Sequence, residues 1–135
     1  MLCTNSAEAR NDLHDFSIKS ALSSPVAKQK VQPNIHLYFG NQKYPRIQKS
    51  FGKFSTSKKT NAFNKSDQQA CERAFLSAVL QLQRKARNLG ANAIINIKSN
   101  YNRIETSSRK KFKCAAGNII AGVALKGTFV KTKGH

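Results

Sequence analysis

The chain has 135 residues and carries 24 lysines and arginines against 6 aspartates and glutamates, which gives a formal net charge of +18. This length favours a single domain, and the charge predicts attraction to phosphates, acidic lipids, anionic glycans or acidic proteins. A hydrophobic fraction of 39% argues against disorder over most of the length. No apolar run approaches the roughly 20 residues of a membrane-spanning helix, so we expect no transmembrane segment.

The first nine residues have two interpretations. Ala7-Glu8-Ala9 has the small-x-small pattern that signal peptidase accepts, although no basic and apolar segments precede it. Residues 1–9 are therefore either a polar, unstructured terminus or the remnant of a signal peptide. In the second interpretation the mature protein is a single basic α+β domain over residues 10–135, and Cys3 is unpaired.

The next part of the chain reads as short elements separated by turns. Residues 12–24 favour a short helix or turn, because their apolar side chains are closely spaced before a proline. Residues 35–40 alternate apolar and polar side chains and predict a strand that ends at a glycine. Residues 47–54 are expected to be extended, and the polar, basic residues 55–65 to form a loop or strand end.

The clearest element is a helix near residues 66–89. Ser66 and Gln69 fit a capping box, with Asp67 in the first turn where an acid suits the helix dipole. Gly90 is placed to end the helix. Apolar side chains recur with the spacing of an amphipathic helix at Cys71, Ala74, Phe75, Ala78, Val79, Leu82 and Ala86.

After the helix, alternating patterns predict strands near residues 93–100, 109–116 and 119–131. In the first strand, Ala93, Ile95 and Ile97 are expected to share one face. In the second, Phe112 and Cys114 should point inward, with Arg109, Lys111 and Lys113 on the outward face. The predicted fold class is α+β, with one long amphipathic helix packed on a small, mostly antiparallel sheet.

Two cysteines fall on surfaces that should meet. Cys71 lies on the apolar face of the helix, and Cys114 on the strand face that should cover it. They are either small buried hydrophobic residues or a disulfide, and a disulfide requires an oxidising compartment. The signal-like terminus and the cysteine pair support each other, so the favoured interpretation is a Cys71–Cys114 disulfide, with residues 1–9 as a signal-peptide remnant. This predicts a periplasmic or secreted protein; free thiols would instead indicate the cytoplasm.

The sequence lacks the motifs of common catalytic and cofactor sites. There is no G-x-x-x-x-G-K-[ST] phosphate loop and no C-x-x-C pair. Asp12-Leu13-His14-Asp15 could ligate a metal in principle, but a solvated polar cluster is the favoured interpretation. The few carboxylates offer no evident acid–base pair. We therefore expect no enzyme activity, no cofactor and no metal.

Basic clusters define the candidate binding residues. The favoured function is an exported, non-enzymatic binding module that docks a protein or an anionic surface component. The alternative is a nucleic-acid-binding protein, which exposed aromatic side chains beside the basic groups would favour. A solvated basic face and delivery into a host cell are further hypotheses. The candidate polyanion-binding residues are Lys58, Lys59, Lys65, Arg109, Lys110, Lys111 and Lys113.

The stretch "KTNAFNKSDQQACERAFLSAVLQLQRKARNLGANAIINIKSNY", followed by "FKCAAGNIIAGVALKGTFVK", resembles small exported proteobacterial proteins often labelled "excinuclease ATPase subunit". The resemblance covers residues 12–132. The second half is also similar to the YbjQ and RcsF folds, which implies a helix packed on a sheet. The phosphate loop of an ATPase is absent, and so are the lipid-attachment cysteine and second cysteine pair of RcsF. The resemblance therefore implies a fold rather than an activity.

Overall fold

The computed structural model describes residues 11–133, so the predictions for residues 1–9 and Cys3 lie outside the described residues. Two short helices follow the first strand, and a single long helix separates the third and fourth strands. The elements in chain order are β1 (Asp12–Ser17), α1 (Ile18–Leu22), α2 (Pro25–Lys30), β2 (His36–Phe39), β3 (Ile47–Asn61), α3 (Asp67–Leu89), β4 (Ala93–Ser99), a short 3-10 turn (Tyr101–Arg103), β5 (Lys111–Ala116) and β6 (Ile120–Thr132).

The strands form one six-stranded sheet organised around β6. On one edge, β6 pairs with β3 along almost its whole length. On the other edge, β6 pairs first with β5 and then with β4. Strand β1 extends the sheet beyond β5, and β2 extends it beyond β4. The predicted α+β class is confirmed, and the sheet is mixed because β2 and β4 run parallel.

Helix α3 covers one face of this sheet. Ser66 Oγ accepts the Gln69 N–H and the Gln69 side chain accepts the Ser66 N–H, both at 3.1 Å, as the capping box predicts. Gly90 ends the helix in the left-handed region, at φ 85°. The buried face of the helix includes Phe75, whose ring stacks on Phe112 of β5 with centroids 4.1 Å apart. Such aromatic burial is a large part of the stability of a core this small.

The prediction of a helix or turn over residues 12–24 is wrong for the first half. Residues 12–17 form β1, because each lies opposite a residue of β5, with Phe16 opposite Phe112. Helix α1 follows only from Ile18. The strand conformation of residues 12–17 depends on pairing with β5, which is distant in sequence. No local pattern of residues therefore predicts it.

Strand β3 continues to Asn61, so residues 55–61 are a strand end, one of the two predicted alternatives, because β6 pairs with β3 as far as this residue. One strand boundary differs from the prediction. Strand β5 begins at Lys111. Arg109 and Lys110 therefore lie in the preceding loop, not on the outward strand face with Lys111.

The expected shared face of Ala93, Ile95 and Ile97 is wrong. Asn96 adopts φ 53°, and the β4–β6 register shifts between Ile95 and Lys98. Such a bulge changes the alternation of side chains along a strand. As a result Ile97 joins the main core, while Ala93 and Ile95 pack in a second cluster on the other face.

Candidate functional site

A cleft of about 620 Å³ lies between the β1–α1 junction, β2 and the loop that precedes β5. Its volume is typical of small-molecule sites, which occupy about 300–1,000 Å³. Ser17 and Gln42 contribute polar groups. Its apolar floor consists of Ile18, Leu22, Leu37 and Phe39. Its rim consists of Lys19, Arg109, Lys110 and Lys111, and we call the whole the basic cleft.

Gly40 allows one wall of the basic cleft to close. A Cβ atom at this position would lie 2.8 Å from the carbonyl carbon of Ser108, and the glycine adopts φ +60°. Both conditions favour glycine over any other residue. The Gly40 N–H also donates to the Ile97 carbonyl oxygen at 2.9 Å. The rim loop therefore packs directly against the end of β2.

Hydrogen bonds fix the backbone beneath the rim. Ser108 Oγ accepts the N–H groups of Lys110 and Lys111 at 3.1 and 3.0 Å. The Ile18 N–H donates to the Lys110 carbonyl oxygen at 2.9 Å, which ties the loop to the start of α1. The basic side chains of the rim are exposed. The cleft thus presents exposed cationic groups on a hydrogen-bonded backbone.

The rim differs from three lysines of the sheet, Lys98, Lys113 and Lys126, in its electrostatic surroundings. Among residues 11–133, no carboxylate lines the basic cleft. Elsewhere, Glu105 accepts hydrogen bonds from Lys126 at 2.8 Å and from Lys98 at 3.3 Å. These two ammonium groups, Lys126 foremost, hold the pKa of the Glu105 carboxyl below its usual value of 4.5. Lys113 pairs with Asp15 at 2.9 Å.

The structure separates the residues predicted to bind polyanions. Arg109, Lys110 and Lys111 share the basic cleft, whereas Lys113 is held by Asp15. Lys58 and Lys59 lie on β3, and the latter lines a different groove beside the β5–β6 hairpin. Lys65 lines a pocket of about 240 Å³ that also contains Glu72.

The aromatic side chains near these basic groups are mostly buried. Phe112 is 1% exposed, and Phe54 packs on Phe129 with ring centroids 4.9 Å apart. Lys85 Nζ lies over the same Phe54 ring, 4.4 Å from its centroid. Phe63 is the exception, with 61% of its surface exposed. Base stacking needs open aromatic faces, so these rings provide little of it.

The predicted Cys71–Cys114 disulfide is confirmed. Its Cα atoms are 5.8 Å apart, and both cysteines are fully buried. The bond joins α3 to β5, the strand that begins at the rim of the basic cleft. A disulfide of this kind fits an oxidising compartment.

A second cluster lies where β1 meets the start of α3. The candidate ligand atoms of Asp12, His14 and Asp67 lie within 4.8 Å of one another. His14 Nε2 is 2.8 Å from Asp67 Oδ2. The sequence alone predicts a solvated cluster over residues 12–15 and a helix-start role for Asp67. Their meeting depends on β1 pairing with β5, which brings residue 14 beside the helix.

The fold and its cross-link define a small, disulfide-linked α+β domain in which one long helix covers a curled, mixed sheet. Residues 49–133 match the protein-family model YbjQ_1, described as "Putative heavy-metal-binding". The chain belongs to this family, and the expected YbjQ-like fold is confirmed. No curated protein and no solved structure matches the chain. Within residues 11–133, no helix has both the length and the apolar composition needed to cross a membrane.

The donor set of the cluster fits some metals better than others. Soft heavy metals prefer thiolates, and both described cysteines are in the disulfide. Imidazole and carboxylate suit divalent ions such as Zn²⁺, whose ligand bonds are about 2.0–2.2 Å. Asp12 and His14 lie outside the matched residues 49–133.

Proposed function

We propose that this protein is a non-enzymatic, exported binding module that docks an anionic component of the cell envelope or secreted space, or an acidic protein surface. The observation that carries the proposal is the basic cleft. Its rim groups lie together with no carboxylate lining the cleft within the described residues. Cations gathered in this way attract anions more strongly than cations that are already paired.

Two features support export. The Cys71–Cys114 disulfide is of the kind that persists in the periplasm or outside the cell. The chain also resembles small exported proteobacterial proteins. The excinuclease ATPase label of those proteins is not part of the proposal, because the sequence has no phosphate loop.

Polyanion binding in graded salt tests the proposal. We expect the affinity for heparin to fall steeply between low and physiological salt, since charge supplies the binding. The triple substitution Arg109→Gln, Lys110→Gln and Lys111→Gln should lower this affinity about tenfold or more. A control with the same net charge neutralises Lys28, Lys30 and Lys133, which are exposed and lie outside the cleft.

Equal losses in the triple variant and its control would overturn the cleft as the site. Single-stranded DNA serves as a competitor in the same assay. A strong sequence preference for DNA, with contacts at Phe63, would instead support the nucleic-acid-binding alternative. Protein isolated from its own host with free thiols at Cys71 and Cys114 would contradict export.

A second candidate function is binding of a divalent metal ion, favoured by the cluster of Asp12, His14 and Asp67. The family model is also described as "Putative heavy-metal-binding", although its matched residues 49–133 include only Asp67 of the cluster. A bound ion would fasten β1 to the start of α3. We expect Zn²⁺ to raise the melting temperature of chelator-treated protein, and His14→Ala to abolish the increase.

The matched control is His36→Ala, because His36 lies on β2 outside the cluster. This control should keep the response to Zn²⁺. A melting temperature that does not respond to Zn²⁺, or responds equally in the His14→Ala variant, would exclude this site. Calorimetric titration of Asp12→Asn gives a second readout, with weaker binding expected.

A further inference from the structure

The basic cleft combines two surfaces that a purely hydrophilic polyanion would not use together. Its floor is apolar: Ile18 and Phe39 are buried, and Leu22 and Leu37 are partly buried. Its rim is cationic and exposed. A glycan or a phosphate would contact the rim alone and leave the apolar floor facing water, which forgoes the gain from burying it.

We infer that the basic cleft binds one molecule of a single-chain anionic amphiphile. The hydrocarbon chain lies on the floor and the carboxylate or phosphate head on the rim. This inference rests on the proposed function and names the class of anion that the same site takes. A volume of about 620 Å³ accommodates such a chain. The planar guanidinium of Arg109 can donate two parallel hydrogen bonds to either head group.

The apolar groups are placed for a monomeric amphiphile rather than for insertion into a bilayer. Insertion needs large apolar side chains that project from the surface. The most exposed ones in residues 11–133, Ile104 at 69% and Ile119 at 65%, lie outside the cleft. Leu22 and Leu37 are recessed below the rim, where a single chain can reach them. The preformed backbone at Gly40 and Ser108 also favours a small ligand, because little ordering is required.

Calorimetric titration below the micelle concentration tests the two halves of the ligand separately. Dodecyl phosphate should bind about tenfold or more tightly than either inorganic phosphate or neutral dodecyl maltoside, because only it uses floor and rim together. Methyl NMR should show shifts at Ile18, Leu22 and Leu37, with none at Ile104. Equal affinities for dodecyl phosphate and inorganic phosphate, or shifts centred on Ile104, would overturn the inference.

Four variants separate this inference from the proposed function. Leu37→Trp fills the floor and leaves the rim charges in place, so it should lower the affinity for dodecyl phosphate about tenfold or more and the affinity for heparin by much less. If this variant does not fold, as judged by thermal unfolding, Leu22→Ser takes its place with the same expectation. Lys110→Gln should weaken both ligands, and the control Lys113→Gln neither. If the wild-type protein binds heparin but not dodecyl phosphate, the amphiphile inference is wrong and the proposed function stands. If the wild-type protein binds neither ligand, the proposed function is wrong as well.

A binding assay with vesicles distinguishes two sources of the anionic head group, a free amphiphile and a lipid bilayer. Vesicles of an anionic phospholipid should bind no more tightly than their surface charge predicts, and Leu37→Trp should leave that binding unchanged. A loss of vesicle binding in Leu37→Trp would show that the floor receives lipid from a bilayer, which would overturn the monomeric assignment.

Discussion

Two basic regions on the same sheet differ in what surrounds them. In one, which we call the paired lysines, Lys98 and Lys126 share Glu105, and Lys113 pairs with Asp15. In the other, the rim of the basic cleft, no carboxylate contributes to the lining within residues 11–133. A net charge of +18 therefore does not locate a binding surface. The carboxylates distinguish these two regions, because they pair with one group of cations and do not line the cleft that holds the other.

The two regions meet on β5, where a shift of two residues changes the outcome. Asp15 of β1 lies opposite Lys113, and Ser17 lies opposite Lys111. Cross-strand neighbours this close interact directly, so Lys113 acquires an ion pair and Lys111 a hydroxyl neighbour. The register of the β1–β5 pair thus places Lys113 in an ion pair with Asp15 and leaves Lys111 at the rim of the basic cleft.

Breaking the Cys71–Cys114 disulfide, which holds β5 and so both regions, should have the largest effect on stability. Reduction of Cys71–Cys114 opens a loop with a sequence separation of 43 residues. We expect this to lower the free energy of unfolding by about 4 kcal/mol on the chain-entropy account. Denaturant titration with and without reductant measures the loss. An unchanged midpoint would show that β5 is held by packing alone.

Displacing the rim without touching its charges should have the next largest effect. Gly40→Ala forces a Cβ atom against the Ser108 backbone at positive φ, and we expect a loss of about 1–3 kcal/mol together with weakened binding in the cleft. Gly90→Ala is the matched control, since it also has positive φ but no heavy atom within 4 Å of its Cβ. Its binding should stay unchanged. Equal binding losses in the two variants would mean that the close approach at Gly40 does not shape the cleft.

A single-charge comparison sharpens the contrast between the regions. Lys111→Gln should reduce the slope of log affinity against log salt for heparin by about 1, because one cation–anion contact is lost. Lys113→Gln should leave the slope nearly unchanged, because Asp15 already holds this ammonium group. Identical slopes for the two variants would show that the ion pair does not withdraw Lys113 from binding.

The smallest effect concerns pH. Lys126 and Lys98 hold the pKa of Glu105 below 4.5 in the folded protein. A carboxyl with a depressed folded pKa contributes stability that is present above its unfolded pKa and is lost as the pH falls through the folded value. The side-chain NMR titration of Glu105 should therefore have its midpoint below 4.5, and this midpoint should rise in Lys126→Gln. A midpoint at or above 4.5 would contradict the pairing.

The sequence predicts the features that depend on neighbouring residues. Ser66 and Gln69 specify the start of α3, and Gly90 specifies its end, because capping uses side chains only a few positions apart. The Cys71–Cys114 pair is also predictable as one of two readings. Helical periodicity places Cys71 on the buried face of α3, and strand alternation places Cys114 on the inward face of β5. Each placement uses neighbouring residues only, even though the bond joins residues far apart in sequence.

The basic cleft and the cluster of Asp12, His14 and Asp67 depend on which strands pair in the folded sheet. Local sequence patterns therefore do not predict them. Lys19 and Leu37 enter one cavity with Arg109 only because β2 and β1 lie on outer positions of the same curled sheet. His14 reaches Asp67 for the same reason, across 53 positions of sequence. Asn96 shows a second limit, since one residue in the left-handed region reverses the faces that alternation predicts.

The long strand β3 has a consequence for self-association. Within the described residues it pairs with β6 alone, which leaves the backbone of its outer edge open to another strand. Open edges invite pairing between copies of a protein, and lysines along an edge oppose it. Strand β3 carries Lys49, Lys53, Lys58 and Lys59. Two copies approaching edge to edge would bring these lysines together, so positive charge that lies outside the basic cleft discourages aggregation of the protein with itself.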